Sequence, residues 1–125
     1  MYVTCWLLLA VGEYLAAILR PATGYDVPVV PTKASMDDGI TLTLGDSDPE
    51  LGAEGYAVSI TETRVVVTAP ESAGLFWGSQ TLRQLFPPTI EASTVQAGPW
   101  TLPTGTIRDF PRYPWRGAML DVARH

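Results

Sequence analysis

Apolar residues recur at helical spacing near the start of the chain and predict a helix over Leu8–Arg20. Pro21 lacks the backbone N–H that would continue the helix, so we expect the helix to end there. The leading stretch Met1–Leu9 is apolar but has no basic segment, and Gly12 and Glu13 interrupt it before it reaches the length of a membrane span. We interpret it as part of a buried amphipathic helix. The sequence therefore gives no prediction of the cellular compartment.

Apolar and polar residues alternate through the middle of the chain, which is typical of strands with one buried face. Ile40–Leu44 is the first such strand, and Tyr56–Thr61 and Arg64–Ala69 are joined by a short polar turn that predicts a hairpin. Thr106–Phe110 predicts a further strand. Val27–Val30 contains a proline, which confines a strand to the edge of a sheet.

A second helical pattern predicts a helix over Gly74–Phe86, with Ser72 as its N-cap. Gly78 and Ser79 lie on the apolar face of this helix. Small residues at these positions predict that the helix backbone lies close to a sheet. Residues 89–98 carry weak signals, and a loop and a short strand both stay open.

The switch between helical and alternating periodicity predicts an α+β fold for residues 1–110. We expect a two-layer sandwich of an antiparallel sheet with both helices on one face. Prolines on both sides of Arg112 predict a linker. Gly117–Val122 is apolar apart from Asp121, which is typical of a strand buried on both faces. Such a strand needs partners, so we expect residues 111–125 to be a linker and the start of a second domain.

Composition and charge restrict the function classes. The chain is 46% hydrophobic and 17% charged, as globular domains are. Its net charge of −5 and its scattered basic residues argue against a nucleic-acid partner. Cys5 is the sole cysteine and His125 the sole histidine, so we expect no internal disulfide, no metal site, no serine triad and no cofactor.

Acidic residues form two clusters. Asp46, Asp48 and Glu50 alternate, but a proline interrupts them, and the glycine and distal glutamate of a calcium loop are missing, so we expect a solvated loop. Asp37 and Asp38 precede a glycine, which is typical of a turn, and we assign them no catalytic role.

Two segments carry a specific likeness to a known family. They are Gly74–Leu85, GLFWGSQTLRQL, and Ile107–His125, IRDFPRYPWRGAMLDVARH. Both resemble family 20 glycoside hydrolases, the β-N-acetylhexosaminidases and chitobiases. The segment LRPATGY that begins at Leu19 and the tripeptide Glu54-Gly55-Tyr56 precede them in the same order. The resemblance therefore covers nearly all of the chain from Gly12 onward.

This resemblance implies a two-domain enzyme. Its N-terminal domain is a zincin-like α+β domain without a catalytic group, and it packs on a (β/α)8 barrel that holds an adjacent Asp-Glu pair. In that family the Glu is the general acid, and the Asp orients the 2-acetamido group of the substrate, whose carbonyl oxygen is the nucleophile. We expect that pair to lie beyond His125. The chain is then the N-terminal part of a hexosaminidase that acts on N-acetylhexosamine-terminated glycans through the barrel, and it is inactive alone.

Arg116 matches a position for which the resemblance implies contact with hydroxyls of the terminal sugar. A guanidinium offers five donors in a fixed fork, which suits that contact. Active sites of such barrels lie at the C-terminal ends of strands, whereas Arg116 precedes the predicted strand. The competing interpretation is an ion pair of Arg116 with Asp109 or Asp121.

A second function class stays open, an independent noncatalytic module that binds carbohydrate or a protein partner. It requires an exposed aromatic platform, and packing in the core or between domains explains the same residues. The aromatic candidates are Trp77, Trp100, Tyr113 and Trp115.

Overall fold

The computed structural model describes residues 1, 3–5, 9–31, 37–45 and 48–123. Within these ranges, the chain forms six strands and two α-helices. In chain order they are β1 (Val3–Cys5), α1 (Leu9–Thr23), β2 (Val29–Val30), β3 (Gly39–Leu44), β4 (Tyr56–Ile60), β5 (Arg64–Ala69), α2 (Ser72–Leu85) and β6 (Gly105–Asp109).

The strands form one mixed sheet, so the prediction of an antiparallel sheet is wrong. The strand order is β2-β1-β3-β5-β4-β6. β1 pairs in parallel with β2 and β3, β3 pairs in parallel with β5, and β4 runs antiparallel to both β5 and β6. The reason is that α1 crosses over between β1 and β2 and returns the chain in the same direction. The predicted β4–β5 hairpin and the edge position of β2 are confirmed.

Both helices pack on the same face of the sheet and contact each other, as predicted. Leu15 and Leu19 of α1 and Leu75 and Leu82 of α2 are fully buried. They share one hydrophobic core with the inward residues of the strands. Those inward residues include Val3, Ile40, Leu42, Tyr56, Val58, Ile60, Val65 and Val67.

The start of the chain contributes a strand where we predicted part of a helix. Val3 pairs with Val29 on one side and with Ile40 on the other, so β1 is a central strand. A three-residue strand is too short to show an alternating pattern, which explains the error. Leu8, where the helix was predicted to begin, lies outside the described residues, and α1 is described from Leu9.

Pro21 does not end α1, contrary to the prediction, and the helix continues to Thr23. Near a C-terminus the missing proline N–H removes only one helical hydrogen bond. The last turn is closed by the Thr23 hydroxyl, which donates to the Leu19 carbonyl at 2.7 Å, and by the Gly24 N–H, which donates to the Arg20 carbonyl at 3.0 Å. Gly24 has φ +71°, the left-handed conformation that commonly terminates helices.

Helix α2 lies very close to the sheet, as its small residues predicted. A Cβ at Gly78 would stand 2.5 Å from Cγ1 of Val67. The buried Ser79 hydroxyl is satisfied by donating to the Leu75 carbonyl at 2.9 Å. The N-cap is Glu71, one residue before the predicted Ser72.

Residues 89–98 form a loop, one of the two alternatives left open. A 3-10 turn at Pro88–Glu91 begins the loop and places Ile90 in the core. The Gln96 N–H donates to the Ala22 carbonyl at 2.8 Å, which fastens the loop to the end of α1.

The strand predicted for residues 117–122 is not formed. These residues are exposed, and Met119 and Leu120 are 95% and 84% exposed. The physical reason is that, in the described ranges, no strand pairs with this segment to accept its backbone hydrogen bonds.

Candidate functional site

Arg116 lies beside Glu54 and Trp77. Its Nη2 donates to Glu54 Oε1 at 2.7 Å, and its Nη1 donates to the Tyr113 carbonyl at 2.8 Å and to Glu54 Oε2 at 3.5 Å. The ion-pair interpretation named Asp109 or Asp121 as partner, whereas the partner in the structure is Glu54. The sequence separation of 62 residues hides this pair from any local pattern.

Glu54 accepts a second hydrogen bond, from the Trp77 indole Nε1 at 3.1 Å. The hydrogen bond from Arg116, followed by that from Trp77, holds the pKa of the Glu54 carboxyl below its ordinary value. A carboxyl with a lowered pKa stays ionised near neutral pH. The chemistry available to Glu54 is therefore that of a fixed anion that orients a guanidinium.

These three residues border a cleft of about 520 Å³ between α2 and the segment that follows β6. The cleft has polar groups on its α2 side and the Phe110–Pro111 turn on the other. Its lining consists of Glu54, Tyr56, Trp77, Gln80, Thr81, Gln84, Asp109, Phe110, Pro111 and Arg116.

Tyr56 anchors the floor of the cleft. The side chain is buried, and its hydroxyl lies 2.5 Å from the Thr81 hydroxyl and donates to Asp109 Oδ2 at 3.1 Å. Burial first, and then the Asp109 charge, raises the pKa of the Tyr56 hydroxyl, which keeps its proton as a donor. Since Tyr56 and Asp109 are also register partners in β4 and β6, this bond fixes the end of β6 to the start of β4.

Two glycines make this arrangement possible. A Cβ at Gly55 would lie 2.2 Å from the Leu51 carbonyl oxygen, and a Cβ at Gly74 would lie 2.1 Å from the Gly55 carbonyl oxygen. The backbone between Glu54 and Tyr56 therefore touches the first turn of α2 directly. This contact places the Glu54 carboxylate within reach of Trp77.

The sequence predicted only a solvated loop for Asp48 and Glu50, whereas both carboxylates form ion pairs with Arg108. Arg108 of β6 forms an ion pair with Asp48 and donates from Nη2 to Glu50 Oε2 at 2.8 Å. The Glu50 N–H, which donates to Asp48 Oδ1 at 3.0 Å, and then Arg108 hold the pKa of Asp48 below its ordinary value. Asp46 lies outside the described residues. The cluster thus ties β6 to the turn before β4.

The outward side of the two helices carries an aromatic cluster beside charged side chains, among them Glu13 and Arg20, which form an ion pair at 3.1 Å. The Tyr14 ring lies 5.3 Å from the Phe76 ring, which lies 5.2 Å from the Trp77 ring. Gln80 Nε2 donates to the Tyr14 hydroxyl at 3.1 Å and links the helices. Exposed apolar patches of this kind mark interaction surfaces. We define the outer helical face as Leu9, Ala10, Tyr14, Ala17, Phe76 and Trp77.

The aromatic candidates for a sugar platform come from α2, from the loop before β6 and from the segment after β6. Trp77 contacts Phe76 edge-on in α2, and Trp100 is half-buried against the core in the loop before β6. Tyr113 and Trp115 are exposed after β6, 64% and 86% respectively. Trp77 and the segment after β6 meet beside Glu54 and Arg116.

The other candidate residues from the sequence are Asp37, Asp38 and His125. Asp37 and Asp38 are exposed at a bend before β3, as predicted for a turn. His125 lies outside the described residues. Among the described residues, no group of three or more His, Cys, Asp or Glu side chains could hold a metal ion. A search of the same residues found no helix with the length and apolar character that a membrane crossing requires.

Glu54 is the site residue that sequence reasoning missed. Its only signal was the tripeptide Glu54-Gly55-Tyr56, which entered through the family resemblance and not through any charge pattern. The acids close to Arg116 in sequence, Asp109 and Asp121, predicted a different ion pair.

Comparisons with known proteins identify the family to which this fold belongs. Residues 7–110 match the model of Glycosyl hydrolase family 20, domain 2. A β-N-acetylhexosaminidase of Cellulomonas fimi is 36% identical over 118 residues, which are 94% of this chain and 22% of that protein. The solved family 20 β-N-acetylhexosaminidase of Streptomyces coelicolor A3(2) superposes with a TM-score of 0.90 at 45% identity, over 100% of this chain and 25% of that one.

A second solved relative is the Streptomyces plicatus N-acetyl-β-hexosaminidase in complex with Thio-NAglucal. It superposes with a TM-score of 0.88 at 47% identity and covers 99% of this chain and 24% of that one. The chain therefore spans about a fifth to a quarter of the length of these relatives.

Proposed function

Because this chain belongs to glycoside hydrolase family 20, we propose that it is the noncatalytic α+β domain of a β-N-acetylhexosaminidase. The observation that carries the proposal is a fold match along the whole chain to relatives several times longer. In this proposal a barrel domain outside residues 1–125 removes terminal N-acetylhexosamine from glycans. The reaction there follows the retaining route in which the substrate's own acetamido group attacks.

The proposal divides the chain near Phe110. Residues 1–110 are the zincin-like domain, and residues 111–125 are a linker followed by the first strand of the barrel. The end of β6 at Asp109 supports this boundary. The exposure of Met119, Leu120 and Val122 also supports it, since these side chains need a partner surface that residues 1–110 do not supply.

The outer helical face is the surface that packs on the barrel domain in this proposal. It exposes large apolar side chains to solvent around the charged Glu13, with Trp77 and Leu9 41% and 49% exposed. The chain after β6 is fastened beside it through Arg116, so the following segment starts next to this face. A partner domain in the same chain is therefore held close to the outer helical face by the covalent connection.

The contact of Arg116 with substrate stays a prediction. The guanidinium is occupied by Glu54 and by the Tyr113 carbonyl, which favours a structural role for it. The position of Arg116 before the proposed strand, away from the end at which barrel sites lie, favours the same role.

A saccharide titration tests the proposed function against the standalone binding module. We expect the tryptophan fluorescence of the 125-residue chain to show no saturable change up to about 10 mM N-acetylglucosamine or N,N′-diacetylchitobiose, because in the proposal the sugar site lies in the barrel domain. N-acetyltryptophanamide serves as the control for non-specific quenching. A saturable change that Trp77→Phe or Trp100→Phe abolishes would establish the binding module and contradict the proposal.

A further inference from the structure

A network of two hydrogen bonds connects α2 with the end of β6. The Tyr56 hydroxyl donates to Asp109 Oδ2 at 3.1 Å and lies 2.5 Å from the Thr81 hydroxyl. A hydroxyl has only one proton to donate, so the proton between Tyr56 and Thr81 comes from Thr81. The Thr81–Tyr56–Asp109 network therefore has one direction, from α2 through β4 to the carboxylate that ends β6.

Thr81 uses its hydroxyl differently from Thr23 and Ser79. Those two residues donate to the carbonyl oxygen four positions earlier in their own helix, which is the usual local partner of a helical hydroxyl. Thr81 instead donates out of α2 to a side chain of the sheet. Its hydroxyl thus serves the contact between two elements and not the helix itself.

The Tyr56 ring is held in place by packing as well as by these bonds. The side chain is 5% exposed, and a Cβ at Gly78 would stand 3.3 Å from Tyr56 Cδ2, so the ring lies directly against the backbone of α2. The ring cannot turn unless the contact between β4 and α2 opens. The hydroxyl is therefore presented at a fixed point, and its removal leaves the packing of the ring intact.

Strand β6 depends on this fixed point more than a central strand would. In the described ranges it pairs with β4 alone, and of its five residues only Ile107 is even partly buried. Asp109 is the last residue of the strand, and a hydrogen bond to a carboxylate is stronger than one between neutral groups. The strongest bond of the network thus acts at the point where the linker begins.

We propose that the Thr81–Tyr56–Asp109 network sets the direction in which the chain leaves β6, and that Tyr56 is a positioning residue for the domain that follows. Tyr56 acts through Asp109 and touches no substrate. This inference rests on the proposed function, because it concerns the placement of the catalytic domain. It leaves the predicted sugar contact of Arg116 unchanged.

Amide hydrogen exchange of the 125-residue chain tests the network without reference to catalysis. We expect Tyr56→Phe to raise the exchange of amides 106–110 about threefold to tenfold, because the end of β6 loses its side-chain bond while the ring still fills the core. Tyr25→Phe is the matched control, since the Tyr25 side chain is 49% exposed. Equal exchange of these amides in Tyr56→Phe and Tyr25→Phe would overturn the proposal.

Kinetics of the chain continued through the proposed barrel test the placement of the catalytic domain. Thr81→Val keeps the shape of the side chain and removes the donor, whereas Thr81→Ser keeps the donor. We expect kcat/KM to fall about twofold to fivefold in Tyr56→Phe and in Thr81→Val, because a linker with a less fixed start admits less productive placements of the domain. Thr81→Ser should keep the unsubstituted value, and the double variant should be no worse than Tyr56→Phe, because the two residues act as a unit.

These variants are compared at a temperature at which circular dichroism shows each of them to be folded. Raised exchange in Tyr56→Phe together with unchanged kcat/KM would confine the network to the stability of β6 and overturn the positioning role. The same loss of kcat/KM in Thr81→Ser as in Thr81→Val would also contradict the proposal, since the donor is retained in one of them. An unsubstituted continued chain without hydrolase activity would reject the proposed function, and the exchange measurement would still decide the network.

Discussion

Replacement of Gly74 by alanine should destabilise the chain by about 3 kcal/mol, despite the better helix propensity of alanine. A Cβ at Gly74 would stand 2.1 Å from the Gly55 carbonyl oxygen and 2.8 Å from the Ala69 Cβ. The first neighbour is backbone and cannot rotate away, so α2 must move off the sheet. Alanine favours a helix interior by only about 1 kcal/mol over glycine, which is too little to offset that movement. Urea denaturation followed by circular dichroism measures the loss.

Two other glycines make the comparison specific. At Gly78 the nearest neighbour is a side chain, Cγ1 of Val67 at 2.5 Å, so Gly78→Ala should cost less than Gly74→Ala. In the described part of the chain, a Cβ at Gly45 meets nothing within 4 Å, so Gly45→Ala should be nearly neutral. The same unfolding midpoint for Gly74→Ala and Gly45→Ala would refute the packing described between Glu54-Gly55-Tyr56 and α2.

The elements with strong periodicity were predictable from the sequence. Helix α2 and the β4–β5 hairpin have their predicted positions because their apolar residues follow one period from end to end. The parallel pairing of β1, β2, β3 and β5 was not predictable, since strand direction depends on the path of the connection and not on local alternation. A strand as short as β1 carries no period at all.

The candidate site was less predictable than the fold because its contacts are distant in sequence. Glu54 meets Arg116 across 62 residues, and Arg108 meets Asp48 across 60. An acid–base pair becomes visible in a sequence only when both residues lie on one helix face or on neighbouring strands of known register. The exposure of the aromatic candidates Trp77, Tyr113 and Trp115 required the structure.

A carboxylate introduced in the outer helical face should affect the stability of two chains differently. One is the 125-residue chain, and the other is the chain continued through the proposed barrel, here termed the extended chain. Ala17 is an exposed helix residue one turn from Tyr14. In the 125-residue chain, Ala17→Glu should change the free energy of unfolding by less than about 0.5 kcal/mol, since the new side chain stays in water. In the extended chain the same carboxylate would be buried without a partner, and we expect a loss of about 2–4 kcal/mol.

The matched control is Thr104→Glu, which adds the same charge at an exposed loop position away from the helices. It should leave the unfolding of both chains nearly unchanged. Thermal unfolding of the four variant proteins, with residual activity of the two extended ones after heating, provides the comparison. An equally small effect of Ala17→Glu in both chains would show that the outer helical face is not the surface that meets the catalytic domain.

The central claim is that this chain is the noncatalytic domain of a β-N-acetylhexosaminidase. The most direct measurement is hydrolysis of a chromogenic N-acetyl-β-glucosaminide by the 125-residue chain and by the extended chain, at equal concentration and under the same conditions. The account predicts release of the chromophore by the extended chain and a rate indistinguishable from buffer for the 125-residue chain, because in the proposal the catalytic carboxyl pair lies in the barrel domain. Hydrolysis by the 125-residue chain, or its absence from a folded extended chain, would contradict the account.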